Sequence, residues 1–154
     1  MTIELIISRD TTLLVPMLHD AEEDDSRIEY AIDDEANTSY AAFLGGDCIG
    51  AAVMHWDAHE SEIIYIAIRG DARGKGYGKL IIGELIHIAQ QQKTQALIVG
   101  TATTSVENLI FYQKCGFRMD SIRKDFFSYF QTPVYEHGIL MQDMVILRHD
   151  LGTV

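Results

Sequence analysis

Cysteine is scarce in this 154-residue chain. Cys48 and Cys115 fall in separate predicted elements with neither a CxxC pair nor a Cys/His cluster, which argues against a disulfide framework and against a thiolate zinc site. Both read as small buried hydrophobes. Positive charge is scarce as well: 12 Lys and Arg face 23 Asp and Glu, a formal net charge of -11. Phosphate backbones are bound by concentrated positive charge, so nucleic acid is a poor main partner and a cationic one fits better, although surplus acid also serves solubility. No apolar run approaches a membrane span, and Met-Thr-Ile-Glu-Leu at the N-terminus lacks a basic region followed by a small-residue cleavage site. The expectation is a soluble, cytoplasmic protein without a membrane partner. Repeats and low-complexity tracts are absent. What is present is an ordinary globular composition, 47% hydrophobic, enough to bury one core in a single domain over 1–154.

The glycines are not spread evenly. Arg73-Gly74-Lys75-Gly76-Tyr77-Gly78-Lys79 follows an apolar run, Ile63 to Ile68, and opens a helical one, Leu80 to Ala89. Alternate glycines leave no Cβ in the way, so successive backbone N–H groups can converge on an anion at the positive end of the helix macrodipole. Arg73, Lys75 and Lys79 add charge-assisted contacts. A Walker A loop is excluded, because the position five before Gly78 is Arg73 and Lys79 is followed by Leu80. The dinucleotide fingerprint needs its third glycine at position 79, which is Lys.

Arg-x-x-Gly-x-Gly, carried by Arg73, Gly76 and Gly78, resembles the pyrophosphate-arm loop of the GNAT superfamily of acyl-CoA-dependent N-acetyltransferases. Upstream, Ser61-Glu62-Ile63-Ile64-Tyr65-Ile66-Ala67-Ile68 resembles the central GNAT strand that ends just before this loop. Downstream, Phe111-Tyr112-Gln113-Lys114-Cys115-Gly116-Phe117 resembles the family's helix-ending signature. These motifs stand in family order from Glu62 to Phe117; the N-terminal third and the tail match only in their element pattern. The resemblance implies an α+β fold, a mixed and mostly antiparallel sheet of about six to seven strands flanked by about four helices, with splayed parallel central strands. It implies acetyl-CoA as co-substrate, with pyrophosphate at Arg73, Gly74, Lys75, Gly76, Tyr77, Gly78 and Lys79. The pantetheine arm would pair with backbone groups of Ile66, Ala67 and Ile68. The implied activity is transfer of an acetyl group by direct attack of a primary amine, borne by a small cationic molecule. Protein N-terminal or lysine acetylation is the nearest alternative. A CoA-binding regulator without chemistry is the alternative of another class, and retention of both Glu62 and Tyr112 weighs against it.

Along the chain, Ile3, Leu5 and Ile7 alternate with Glu4 and Ser8, suggesting a first strand, and Asp10 or Thr11 can cap a short helix carrying Leu13, Leu14, Met17 and Leu18. Asp20 to Glu35 holds nine acids among sixteen residues and reads as a largely exposed helix and loop. Ser39 to Leu44, Cys48 to Trp56 and Ser61 to Ile68 form an antiparallel meander, the first pair around Gly45-Gly46-Asp47. After the glycine loop the period changes to that of a helix, with Ile81, Leu85 and Ile88 on one line. Gln95 to Gly100 is a short buried strand parallel to Ser61 to Ile68, Ser105 to Lys114 a helix with Gly116 at its C-cap, and Phe117 to Arg123 and Gln142 to Arg148 are the last strands. Asp125 to Met141 is a long aromatic connection of functional length. Its Phe126, Phe127, Tyr129, Phe130 and Tyr135 suit an acceptor wall or the contact of a homodimer.

Acetyl transfer from a thioester to an amine needs a deprotonated amine, a stabilised oxyanion and a proton for the departing thiolate. The resemblance points Tyr112 toward the thioester sulfur as the acid; a core aromatic beside Phe111 is the plainer reading. Glu62, six residues before Ile68, is the candidate base, since an alkyl ammonium with a pKa near ~10 must lose its proton. Asp143 and Glu136 are the reserves, and the backbone N–H of Ala67 or Ile68 is the candidate oxyanion donor. Where many GNATs carry an asparagine seven residues before the tyrosine, this chain has Ser105, a candidate N-cap; Asn108, four before Tyr112, is the substitute cofactor contact. His55 and His59 flank a strand end without a third ligand, so no metal site is expected and a polar patch near the acceptor mouth fits better.

Overall fold

The computed structural model describes residues 2–152. In chain order the elements are β1 (Glu4–Ile7), α1 (Thr11–Leu18), α2 (Asp25–Asp33), β2 (Asn37–Leu44), β3 (Asp47–His55), β4 (Glu60–Ile68), α3 (Tyr77–Gln91), β5 (Ala96–Ala102), α4 (Val106–Lys114), β6 (Arg118–Arg123), β7 (Tyr135–Glu136), β8 (Ile139–Leu140) and β9 (Met144–Asp150). Short 3-10 turns cover Gly70–Ala72 and Phe126–Tyr129.

Local chemistry accounts for most boundaries. Asp10 caps α1 by accepting from the Thr12 N–H at 3.1 Å, and Asp24 caps α2 through the Ser26 N–H at 2.9 Å. Gly45 and Gly46, with φ of 58° and 86°, supply the left-handed pair that a tight β2–β3 turn requires. α2 is less exposed than its acids imply: Ile28 and Ile32 are fully buried, each worth roughly 1.5–3 kcal/mol. Cys48 and Cys115 are half-buried rather than buried. Ile7, which the strand alternation places inside, is 69% exposed at the sheet's edge strand.

The main sheet runs β1-β2-β3-β4-β5-β9-β6. Only β4 and β5 pair in parallel among the described strands, with α3 as the crossover. α3 and α4 cover one face, where Met54, Ile63, Ile81, Leu85, Leu97, Tyr112 and Phe117 share a core. α1 and α2 cover the other face over β2 to β4, with Leu14, Leu18, Ile28 and Ile32 against Ala51, Val53 and Ala67.

The central strands separate. β4 and β5 pair from Glu60↔Ala96 to Ile63↔Val99 and no further. β4 nevertheless stays on β3 as far as Ile68↔Gly50, and β5 stays on β9 to Ala102↔Met144. The facing edges of 64–68 and 100–102 therefore carry no ladder between them. The β3–β4 register shifts at the point of separation, where Val53 pairs Tyr65 and Met54 pairs Ile63, so Ile64 is an inserted residue.

Asp125 to Met141 has structure of its own. It contains the 3-10 turn and the β7–β8 hairpin, closed by His137 at φ 54° and Gly138 at φ 76°. Around it the chain walls a cavity of about 200 Å³ lined by Phe127, Phe130, Pro133, Val134 and Leu140.

Candidate active site

β4 ends at Ile68 and the chain turns through Arg73 to Gly76 into α3, beside the open gap. Gly74 and Gly76 have φ of 76° and 82°, a conformation costly for any residue with a Cβ, and a Cβ at either would meet nothing within 4 Å. Gly76 is the N-cap of α3 and offers no side chain to the first-turn N–H groups, so a bound anion is their natural acceptor. Lys75 and Lys79 are exposed beside it. Gly78 has a different task. A Cβ there would lie 3.1 Å from Phe111 Cζ, so this glycine lets α3 settle on α4.

Arg73 is not free at the loop. Its guanidinium pairs with Asp20 of the α1–α2 connection, and its Nε donates to the Ile68 carbonyl at 3.2 Å. A pyrophosphate bound at this loop would compete with Asp20 for this side chain. Asp20→Asn is therefore expected to tighten CoA binding roughly two- to fivefold, the range open to an exposed ion pair, as read by calorimetric titration at low salt. An unchanged affinity would mean that Arg73 only braces the strand end.

Tyr112 lies on α4 in the same buried cluster as Ile63 and Val99, the last pair of the parallel ladder. It is 7% exposed and packs edge-on against Phe111 at 5.2 Å and Phe117 at 6.0 Å. Burial raises its phenol well above the ordinary tyrosine range, with the Cys115 thiol adding to the effect, so it stays protonated throughout the neutral range. Its hydroxyl has no hydrogen-bond partner among the described residues. Asn108 donates to Thr101 Oγ1 at 3.3 Å and ties α4 to the splayed end of β5.

Glu62 sits on β4 one position before the ladder ends. Its carboxylate forms a 3.5 Å ion pair with Arg123 of β6, and its cross-strand neighbour is His55. Ile66, Ala67 and Ile68 occupy the edge of β4 that β5 leaves open. The reserve carboxylates are occupied in structure: Glu136 accepts from Ser105 Oγ at 2.6 Å and Thr104 Oγ1 at 3.1 Å, and Asp143 accepts from the Asp125 N–H at 2.8 Å. Ser105 stands at the N-cap of α4, yet its hydroxyl serves Glu136 and not the helix.

One cluster has no counterpart in the motifs. Glu22, read as part of the solvated acidic run, is only 7% exposed. Its Oε1 accepts from Arg27 Nε at 2.8 Å and from the Tyr129 hydroxyl at 3.3 Å. The Arg27 guanidinium lies 3.8 Å over the Tyr129 ring, and Tyr65 of β4 joins the same electrostatic group. Burial, then the Glu22 charge, pushes the Tyr129 phenol up to about 12. Among the described residues no group of His, Cys, Asp and Glu is placed to hold a metal ion, and no helix is long and apolar enough to cross a membrane.

A phosphate-type helix N-terminus opening beside a gap between parallel strands fits a long, pyrophosphate-bearing acyl carrier. Known proteins agree. Residues 6–117 match the Acetyltransferase (GNAT) family. An uncharacterized N-acetyltransferase of Bacillus subtilis (strain 168), YvbK, is 34% identical over 119 residues, 76% of this chain and 77% of that protein. Streptothricin acetyltransferase A of the same organism is 25% identical over 119 residues, 76% of this chain and 68% of its own. The crystal structure of a GNAT family acetyltransferase from Elizabethkingia anophelis with acetyl-CoA bound superposes with a TM-score of 0.87 at 28% identity, covering 97% of this chain and 98% of that one. The chain belongs to the acetyltransferase (GNAT) family, as an acetyl-CoA-dependent N-acetyltransferase.

Proposed function

We propose that the acceptor is a primary amine on a small cationic molecule, which attacks the thioester directly. The observation that carries the site assignment is the ladder that stops at Ile63↔Val99 while both strands run on. An extended pantetheine arm can pair with Ile66, Ala67 and Ile68 in that gap, as strand addition to an open edge does. Gly74, Lys75, Gly76, Tyr77, Gly78 and Lys79 then receive the pyrophosphate, with Arg73 recruited from Asp20. Asn108 supports the gap from the β5 side through Thr101.

Tyr112 is the proton donor to the departing thiolate, a role suited to a phenol that burial keeps protonated. Glu62, one position before the gap opens, accepts the acceptor's proton, directly or through water. A backbone N–H of Ala67 or Ile68 stabilises the oxyanion.

The acceptor class rests on charge and on one relative. Glu23, Asp25 and Glu29 are exposed in the segment that meets the aromatic connection through Glu22 and Arg27, with Asp25 beside His19 at 3.0 Å, and such a field concentrates cations. Streptothricin acetyltransferase A carries its acceptor in its name. Glu22 and Asp24 are not part of this field, since one is buried and the other caps α2. Replacing Glu23 by Gln and Asp25 by Asn together is expected to raise KM for a dicationic amine roughly threefold to tenfold at low salt, with KM for acetyl-CoA unchanged. Added salt closes the difference. Steady-state assays at low and high ionic strength check this; identical KM values at low salt would return these acids to a solvated face and favour a neutral amine or a peptide N-terminus.

A further inference from the structure

Taking a carboxylate out of water is expensive unless it is paired and fully hydrogen-bonded. Glu22 is over nine-tenths buried, and its partners come from distant parts of the chain. Arg27 belongs to α2, while Tyr129 lies 107 residues away in the 3-10 turn of the aromatic connection. Tyr65, in the same electrostatic group, is the first residue after the inserted Ile64, where β4 leaves β5. The cluster therefore joins the α1–α2 side, beside β4, to the 126–129 turn, whose chain leaves β6 at Arg123 beside Met144 and Ala102, the splayed end of β5.

We propose that Glu22 is a positioning residue that fastens Tyr129 across the acceptor end of the gap, and that Tyr129 with Tyr65 sets the acceptor size limit. The inference rests on the small-amine reading above and names the residues that enforce it. Glu22 Oε1 takes the Tyr129 hydroxyl, and Arg27 does two tasks: its Nε neutralises Glu22 and its planar face lies on the Tyr129 ring. Both lock the ring. Tyr65 and Tyr129 are both grouped around the Arg27–Glu22 pair, and in the proposed site their phenols bound the acceptor. A compact amine fits against that wall, with its positive charge toward electron-rich rings. A peptide running through the cleft would have to displace the turn. The Asp20–Arg73 pair anchors the same α1–α2 connection to the cofactor loop, so this segment is held at both sides of the gap.

Tyr129→Phe is the cleanest test, because it keeps the aromatic packing and removes only the hydroxyl. Glu22→Gln keeps an oxygen acceptor and removes the charge. With a small diamine as probe, Tyr129→Phe is expected to raise the amine KM roughly tenfold, the loss that goes with a hydrogen bond to a charged group. kcat and the acetyl-CoA KM stay near wild type, and Glu22→Gln gives a smaller rise. Acetylation of a peptide bearing a free N-terminus increases relative to wild type in both variants. Hydrogen exchange gives a readout without turnover: amides of 125–141 exchange faster in both variants while α3 and β5 are unchanged. A folded Tyr129→Phe protein with unchanged amine KM overturns the proposal, whether or not exchange in 125–141 has risen. A wild-type enzyme that acetylates peptides but no small amine contradicts the acceptor reading itself, a result visible before any variant is made.

Discussion

Tyr112→Phe is expected to lower kcat by on the order of 10² to 10⁴ while leaving the affinity for acetyl-CoA unchanged. In the proposed mechanism the hydroxyl acts mainly as the thiolate departs, so its loss would fall on the transition state and not on the bound ground state. Structure makes the substitution clean. The ring is held by Phe111 and Phe117, and the hydroxyl has no partner among the described residues, so phenylalanine preserves the packing and leaves no polar group stranded. Because burial raises the wild-type phenol, its deprotonation does not limit the rate anywhere in the neutral range. An alkaline fall in wild-type kcat below the ordinary tyrosine pKa would have to come from another group. Single-turnover kinetics with saturating acetyl-CoA check the prediction; unchanged turnover with chemistry rate-limiting would assign the proton to water.

Gly76→Asp is expected to weaken CoA binding by roughly 100-fold or more. Two effects add. Gly76 holds φ 82°, where a Cβ is strained, and its side-chain position is open space beside the first turn of α3. A carboxylate there would stand where the proposed site receives the pyrophosphate, and like charges about 5 Å apart at an effective dielectric near 20 repel by roughly 3 kcal/mol. Calorimetry with CoA and with dephosphorylated pantetheine separates the causes: the variant loses affinity for CoA and keeps that for pantetheine. Equal losses for both ligands would mean that the loop had refolded, and normal CoA binding would remove the phosphate from this loop.

Features that depend on neighbouring residues were legible in the chain itself. The glycine loop follows a strand and opens a helix, and the adjacent Gly45-Gly46 pair sets the β2–β3 hairpin, because turn geometry is written in a few adjacent positions. The helix after the loop reads as beginning at Leu80 yet begins at Tyr77, since Gly78 belongs to the packing of α3 on Phe111 as much as to the loop. Features made by distant pairs were not legible. Glu22 looks like one more solvated acid until Tyr129 arrives 107 residues later, and Arg73 looks free until Asp20, 53 residues upstream, is seen beside it. The β7–β8 hairpin escaped for another reason: His137-Gly138 is a weak turn signal, with arms of two residues each that are too short to show alternation. Glu22 and Arg27 five positions apart offered the one local hint, an arginine inside an acidic run.

Whether small cationic amines are the acceptors is decided by the mass of the acceptor after incubation with acetyl-CoA and a panel of amines: mono- and diamines, aminoglycoside-type polyamines, neutral amines and short peptides with free N-termini. Small cationic amines are expected to gain a single acetyl group with CoA released in equal amount, and Tyr112→Phe to form both at least about 100-fold more slowly. CoA release without acetylated product, or acetylation confined to the peptides, would contradict it.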